Sequence, residues 1–435
     1  MKRLFQSFNR SFIRNTLWMV GAQASSLLLQ LGYFVITARA LGAADYGTFI
    51  GITSFAAVLV PFVGLGSGDI LVKKVARDRT VFSKVWGDVL VITLISGILL
   101  TMVSAFVAKT ILPDAVSFQT ILVIIISDLL FLKLWDAAGK AFLAREWMSL
   151  TARVRILLSF NKFLAAIAYL LFFRASGIWG WALLYLTATV ATAVICLLLV
   201  GRMLGLPQFR LSHPRDLELG QGLFFSVSAS SDSINASIDK TMLASLSTLE
   251  VTGLYAAAYR CIEVGYIGFH AVSAVTYAKF FRQGADGIKG SFHLAKRLLP
   301  IMALYGVGCW LFFFIVAPLI PYVLGSEYAN SVQAVYWLAP VLLLLALQYP
   351  VADTLTGAGF QGARSSIQVS SAILNVLLNL WLIPIYSWRG AAFATLVSES
   401  LKLAFLSVAV WFFYYKHVHG SRHQDAGTHD ESPPA

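Results

Sequence analysis

A chain of 435 residues that is 58% hydrophobic and only 12% charged lies outside the range of soluble domains, in which about 25% of residues carry a charge. With a mean hydropathy of +0.76, it reads as an all-α polytopic membrane protein. Its net charge of +12 is dispersed among short loops beside apolar stretches, which excludes the concentrated basic face of a nucleic-acid binder.

A spanning helix takes about 20 mostly apolar residues. That ruler predicts twelve spans, at 15–38, 46–66, 86–108, 117–138, 154–173, 178–201, 219–245, 252–276, 297–317, 332–356, 365–385 and 390–414. Ahead of the first, residues 1–14 place Leu4, Phe5, Phe8 and Phe12 on one helical face among basic residues, as in a short helix lying in the headgroup layer; a plain basic flank is the alternative. The first span is too long for a signal-peptide core and is expected to be a signal anchor. Lys73, Lys74, Arg77, Arg79, Lys140, Arg145, Arg153 and Arg155 fall on one side of this threading, with only Arg39, Lys109, Arg174 and Arg389 on the other. The positive-inside rule then puts both termini in the cytoplasm. Residues 205–218 contain Pro207 and Pro214 in a polar run and read as a cytoplasmic linker between six-helix bundles at 15–204 and 219–414. The polar stretch 415–435 is expected to be a disordered tail. Cys196, Cys261 and Cys309 lie within spans at no metal-ligand spacing, so they are expected to be small core residues and no metal is expected.

The chain echoes itself. "LGAADYGTF" (41–49) and "LSTLEVTGLY" (246–255) share acid, glycine and aromatic in one order, and "SGIWGWA" (176–182) parallels "YSWRGAA" (386–392). Both correspond to a shift of half the chain, which predicts two parallel repeats related by an axis along the membrane normal.

Three stretches carry a family resemblance: "ARALGAADYGTFIGITSF" (38–55), "SIDKTMLASLSTLEVTGLYAAAYR" (237–260) and "NVLLNLWLIPIYSWRGAAFATLVSE" (375–399). The chain resembles the polysaccharide-export branch of the multidrug/oligosaccharidyl-lipid/polysaccharide (MOP) exporter superfamily, whose members include O-antigen and exopolysaccharide flippases. The resemblance implies a V-shaped transporter of two bundles in the bacterial inner membrane. It would move undecaprenyl-diphosphate-linked oligosaccharides from the inner to the outer leaflet, without an organic cofactor and in some members coupled to H+ or Na+. A polysaccharide polymerase and chain-length machinery are the protein partners that such a role implies.

Charges at mid-membrane cost at least about 2.5–3.5 kcal/mol each on insertion scales and mark pathways by default. Arg260, Lys240, Lys162, Lys402 and Lys133 are the cations within or near spans and the candidates for a diphosphate. Arg260 ranks first because a guanidinium forks onto phosphate oxygens. Asp239, Glu263, Glu399 and Asp128 are the candidate coupling or ion-pair carboxylates. Arg260 with Glu263 and Glu399 with Lys402 are one turn apart and can close within single helices, so mutual neutralisation is the other reading. The seventh span, with Ser226, Ser230, Asp232, Asn235, Asp239 and Lys240, is expected to line a polar pathway, close helix packing being its alternative. Gln23, Gln30, Gln348, Asn375 and Asn379 are the candidate sugar contacts, with interhelical hydrogen bonding as the competing role. "GLGSGDILVKK" (64–74) lacks the spacing of an ATP-binding loop. An exporter of small cations from the multidrug branch and a membrane glycan ligase or polymerase are the rival functions; short outside loops count against the latter.

Overall fold

The computed structural model describes residues 10–209, 219–285 and 287–427. Among them every regular element is helical, and the chain divides into two compact units, 1–253 and 254–435.

In the first unit α1 (Arg10–Leu59) carries the first two expected spans end to end, redirected at Gly42 (φ 77°, ψ 170°), a backbone conformation that glycine adopts without a Cβ penalty. Then come α2 (Ser67–Arg77), α3 (Phe82–Ile111), α4 (Phe118–Ile126), a π turn at Ser127–Phe131 and α5 (Leu132–Ala144). α6 (Met148–Ala168), a second π turn at Tyr169–Phe173, α7 (Gly177–Leu204) and α8 (Leu219–Leu246) follow. Phe49, Ile52, Ile121, Ile125, Tyr169, Trp181 and Tyr185 form the buried core between them. Ile95, Leu99, Phe106, Leu171 and Phe172 are exposed, as side chains facing lipid tails should be.

α9 (Leu249–Glu263) leads into the second unit, which holds α10 (Tyr266–Gly284), α11 (Ile288–Val316), the short α12 (Ile320–Leu324) and α13 (Ser331–Leu338). α14 (Pro340–Gly357), α15 (Gln361–Tyr386) and α16 (Trp388–Gly427) complete it. α14 is its centre: it packs on α11 and α16, and Val351, Ala352, Leu355, Leu406 and Val410 close the core there.

Among the described residues seven stretches are long and apolar enough to cross a membrane: Ser25–Phe62, Arg79–Ile111, Met148–Leu204, Ile288–Leu324, Ser326–Gly357, Gln361–Tyr386 and Trp388–Lys416. The first and third each contain two expected spans. The fourth, seventh and eighth expected spans are helical but interrupted or polar: the π turn divides the fourth, α8 is serine-rich, and a turn at Val264–Gly265 divides the eighth. The chain is a multi-pass membrane protein.

Two expectations change in detail. The units divide after Gly253, a helix beyond the expected linker, because α8 lies along α1. There a Cβ on Gly47 would overlap the Leu249 carbonyl, and one on Gly253 the Ala43 carbonyl, so the glycines of "ADYG" and "EVTG" permit backbone contact. The helix expected to end at 414 runs on to Gly427, since extending a formed helix requires no new nucleus; 428–435 lie outside the described residues. Residues 1–9 and 210–218, with most of the amphipathic segment and of the linker, also lie outside them.

The repeat appears in the turns. Gly177 (φ 57°) and Ser387 (φ 54°), 210 residues apart, hold the same left-handed conformation at the starts of α7 and α16. Glu146 (φ 61°) and Gly359 (φ 87°) do so at the ends of α5 and α14, each with a bond closing the same six-residue turn, Trp147 N–H to Phe142 O at 3.0 Å and Phe360 N–H to Leu355 O at 2.8 Å.

Candidate functional site

The first unit contains a cavity of about 440 Å³ lined by Thr53, Ala57, Val60, Asp128, Leu132, Lys133, Trp135, Asp136 and Tyr185. Asp128 reaches it from the π turn, where the Leu132 amide skips back to the Ser127 carbonyl. Such turns insert an extra residue and re-aim side chains. The Tyr185 hydroxyl donates to Asp128 Oδ1 at 2.7 Å and accepts from Lys162 Nζ at 3.1 Å. Lys162 Nζ also lies 4.7 Å from the centre of the Tyr185 ring. Thus an acid from the fourth expected span and a base from the fifth meet through a tyrosine of the sixth. Tyr185 is itself held by edge-to-face packing on Phe49, with ring centres 5.0 Å apart, and by Trp181 at 6.1 Å.

Further charges continue along α5. Lys133 Nζ is 3.5 Å from Asp136 Oδ2, Lys140 Nζ is 3.7 Å from the same oxygen, and Lys140 Nζ donates to Asp69 Oδ2 at 2.8 Å. Asp69 comes from the first turn of α2, which the glycine-rich turn 64–66 sets beside α5. Gly64, Leu65 and Gly66 are all left-handed there, and Cβ atoms on Gly66 and Gly222 would run into the facing backbone. The glycine-rich turn 64–66, in the stretch that lacks the spacing of an ATP-binding loop, is a packing turn.

In the second unit Arg260 and Glu263 close the expected pair, Nη1 to Oε2 at 2.6 Å, with side chains 39% and 34% exposed. They stand at the end of α9, where the eighth expected span breaks. The break is stabilised by the Gly265 amide bonding Ile262 O at 2.8 Å and by Tyr305 Oη donating to the Gly265 carbonyl at 2.9 Å. Gly268 makes room for that tyrosine, since a Cβ there would strike its ring and hydroxyl. Lys402 pairs with Glu399 at 2.7 Å, and Gln348 donates to the Glu399 carboxylate at 2.7 Å and to its carbonyl at 2.9 Å. Asp353, on α14, accepts from Arg364 at 3.2 Å and Ser273 at 3.1 Å.

The remaining candidates fall as follows. Lys240 is buried beside Asp239 at 3.4 Å and donates to the Ala236 carbonyl at 2.6 Å. Asn379 donates to the Asn375 side chain at 2.9 Å, and Asn375 to Ser398 at 3.0 Å, an interhelical seam between α15 and α16. The first unit has a counterpart, Asn161 donating to Thr192 at 2.8 Å between α6 and α7. Gln30 donates to Ser26 at 3.0 Å and Ser159 at 3.4 Å. Asn375, Gln348 and Gln30 thus make hydrogen bonds between helices, whereas those of Asn379 go to Asn375 within α15. The side chain of Gln23 lies outside the described residues. Of α8, Ser226, Ser230, Asp239 and Lys240 are buried whereas Asp232 is exposed, so its polar residues occupy both faces. Sequence reasoning did not find Tyr185 or Trp135, since a tyrosine or tryptophan in an apolar run has the same signature as a core aromatic. Among the described residues no three His, Cys, Asp or Glu side chains are grouped to hold a metal ion.

Residues 12–277 match the family described as polysaccharide biosynthesis protein. Among solved structures, the inward closed conformation of the lipid II flippase MurJ is similar over 91% of this chain and 87% of that one, with 14% identity and a TM-score of 0.73. The inward-facing conformation of a multidrug resistance MATE family transporter of the MOP superfamily is similar over 90% and 96%, with 16% identity and a TM-score of 0.68. A MOP superfamily transporter from Pyrococcus furiosus, described as having a binding pocket of reversed polarity, is similar over 92% and 96%, with 16% identity and a TM-score of 0.61. A search of curated proteins found no match. At these identities the structures establish fold, and the family match establishes kinship: the chain belongs to the polysaccharide biosynthesis protein family and has the all-α fold of MOP superfamily transporters.

Proposed function

We propose that the protein is a flippase for lipid-linked oligosaccharides. It would carry undecaprenyl-diphosphate-linked repeat units of O-antigen, capsule or exopolysaccharide type from the inner to the outer leaflet of the bacterial inner membrane by alternating access, with both termini cytoplasmic. The family and the fold shared with a lipid II flippase support this reading. So does the chemistry: a polyprenyl tail can remain in lipid, but a diphosphate and sugars need a polar path.

The observation that carries it is the accessibility of Arg260. Lys240, Lys402 and Arg364 are each locked against a carboxylate with 17% or less of the side chain exposed, while Arg260 and Glu263 are exposed by about a third at a helix break. A guanidinium there can exchange one carboxylate for two phosphate oxygens. Lys162, Lys133, Lys240 and Lys402 are secondary cations in this scheme. An H+ or Na+ gradient would drive the cycle through Asp128, Asp239, Glu263 or Glu399, and Asp128, facing a cavity, is the best placed. A polysaccharide polymerase and chain-length machinery would receive the product. No covalent chemistry is assigned to the protein.

Equilibrium binding of an undecaprenyl-diphosphate oligosaccharide to the full chain in nanodiscs tests the contact. Arg260→Ala should weaken binding about tenfold, the size of one lost charge-assisted hydrogen bond, and Arg260→Lys should weaken it less. Unchanged affinity in a folded Arg260→Ala protein would remove the assignment. One observation favours small-cation export as the second reading: two carboxylates and Trp135 share the first-unit cavity.

A further inference from the structure

We propose that the first-unit cavity is a sugar subsite that takes a neutral glycan ring, not the diphosphate, and disfavours uronic acids. The inference rests on the flippase reading and names the part of the substrate that this cavity receives.

The cavity's volume, about 440 Å³, is in the roughly 300–1,000 Å³ range of small-ligand pockets. Its wall offers the two surfaces that a pyranose requires. Trp135 supplies the apolar one: its indole N–H donates to the Val154 carbonyl at 3.0 Å, which fixes the ring and leaves carbon surface for the C–H face of a sugar. The carboxylates supply the other. Ionised carboxylates only accept hydrogen bonds, and sugar hydroxyls donate them. Asp136 retains capacity, because its two lysine contacts are long, 3.5 and 3.7 Å, and its side chain is 39% exposed. Tyr185 occupies one oxygen of Asp128, whose carboxylate also lines the space.

Charge selects among ligands. The charged groups that line the cavity are Asp128, Asp136 and Lys133, the last already beside Asp136; Lys162, which bonds the Tyr185 hydroxyl, and Lys140, 3.7 Å from Asp136, are neighbouring ammoniums outside the lining. A diphosphate or a uronate entering there meets like charges at short range, which disfavours its ionised form. A neutral ring meets no such penalty.

The test is saturation-transfer NMR on the full chain in nanodiscs with methyl β-glucoside, N-acetylglucosamine and glucuronate as separate probes. The expected result is transfer to ring protons of the two neutral sugars and about tenfold weaker binding of glucuronate, the scale of one charge interaction. Trp135→Ala and Asp136→Asn should abolish the neutral-sugar signal, while the exposed Trp411→Phe should preserve it. Size exclusion screens for folding, and Thr53→Val replaces Trp135→Ala if that variant fails it. No signal from either neutral sugar, a signal indifferent to the cavity variants, or stronger binding of glucuronate would overturn the subsite. Transbilayer movement of a labelled undecaprenyl-diphosphate oligosaccharide, measured with the same protein in sealed proteoliposomes, separates the claims. Movement without sugar signal ends the subsite and leaves the flippase reading; tetraphenylphosphonium binding that needs Asp136, with no sugar signal and no movement, ends both.

Discussion

Tyr185 gives the first-unit charges a common geometry. Lys162 and Asp128 stood out in the sequence separately, because a charge in an apolar run is conspicuous. Their relation did not stand out, since the group that joins them is an aromatic alcohol that looks like core. The structure makes the hydroxyl both acceptor from Lys162 and donor to Asp128. Tyr185→Phe keeps the packing on Phe49 and removes that bridge, leaving a buried acid without its donor. We expect a loss of roughly 1–2 kcal/mol, as for a charge-assisted bond moderated by the membrane setting. Chemical denaturation of the purified protein in detergent should show it, and an unchanged midpoint would mean that the bridge contributes nothing. The i,i+3 and i,i+4 spacings were legible: Arg260–Glu263, Glu399–Lys402 and Asn375–Asn379 all close within their helices. Contacts such as Asp353–Arg364 and Gln348–Glu399 were not, because they depend on how separate helices meet.

At the scale of elements, hydropathy located the helices well and their interruptions poorly. An apolar window cannot register the π turn at Ser127–Phe131 or the break at Val264–Gly265. The latter is stabilised by Tyr305, 40 residues further on. Yet these irregularities display Asp128 and bring Arg260 to a helix end. The repeat was legible where glycine punctuates it, and it explains an anomaly. Ser387 takes the left-handed conformation that Gly177 takes in the first unit, at a cost of order 1–3 kcal/mol for a residue with a Cβ. Ser387→Gly should therefore stabilise the protein by about 1 kcal/mol. Thermal unfolding followed by size exclusion would reveal the shift, and a lower midpoint would show that the serine side chain outweighs the backbone strain.

For the whole molecule, composition alone fixed the membrane class, and the family resemblance agrees with the match over residues 12–277. The boundary between units was less legible. A proline-containing polar segment marks a linker, but compactness follows packing, and the glycine contacts of α1 with the stretch 249–253 carry the first unit to Gly253. Charge within the membrane region is distributed by role in the proposed scheme: locked pairs in helix seams, one accessible guanidinium, and one cavity with excess carboxylate. The measurement that tests this scheme most directly is transbilayer movement of a labelled undecaprenyl-diphosphate oligosaccharide in proteoliposomes, for wild type and Arg260→Ala, with and without pH or Na+ gradients. The scheme predicts movement by wild type, its severe loss in the folded variant, and acceleration by one of the gradients. Absence of movement with any such lipid, alongside gradient-driven efflux of small cations, would contradict it and leave Arg260 and Glu263 as a structural ion pair.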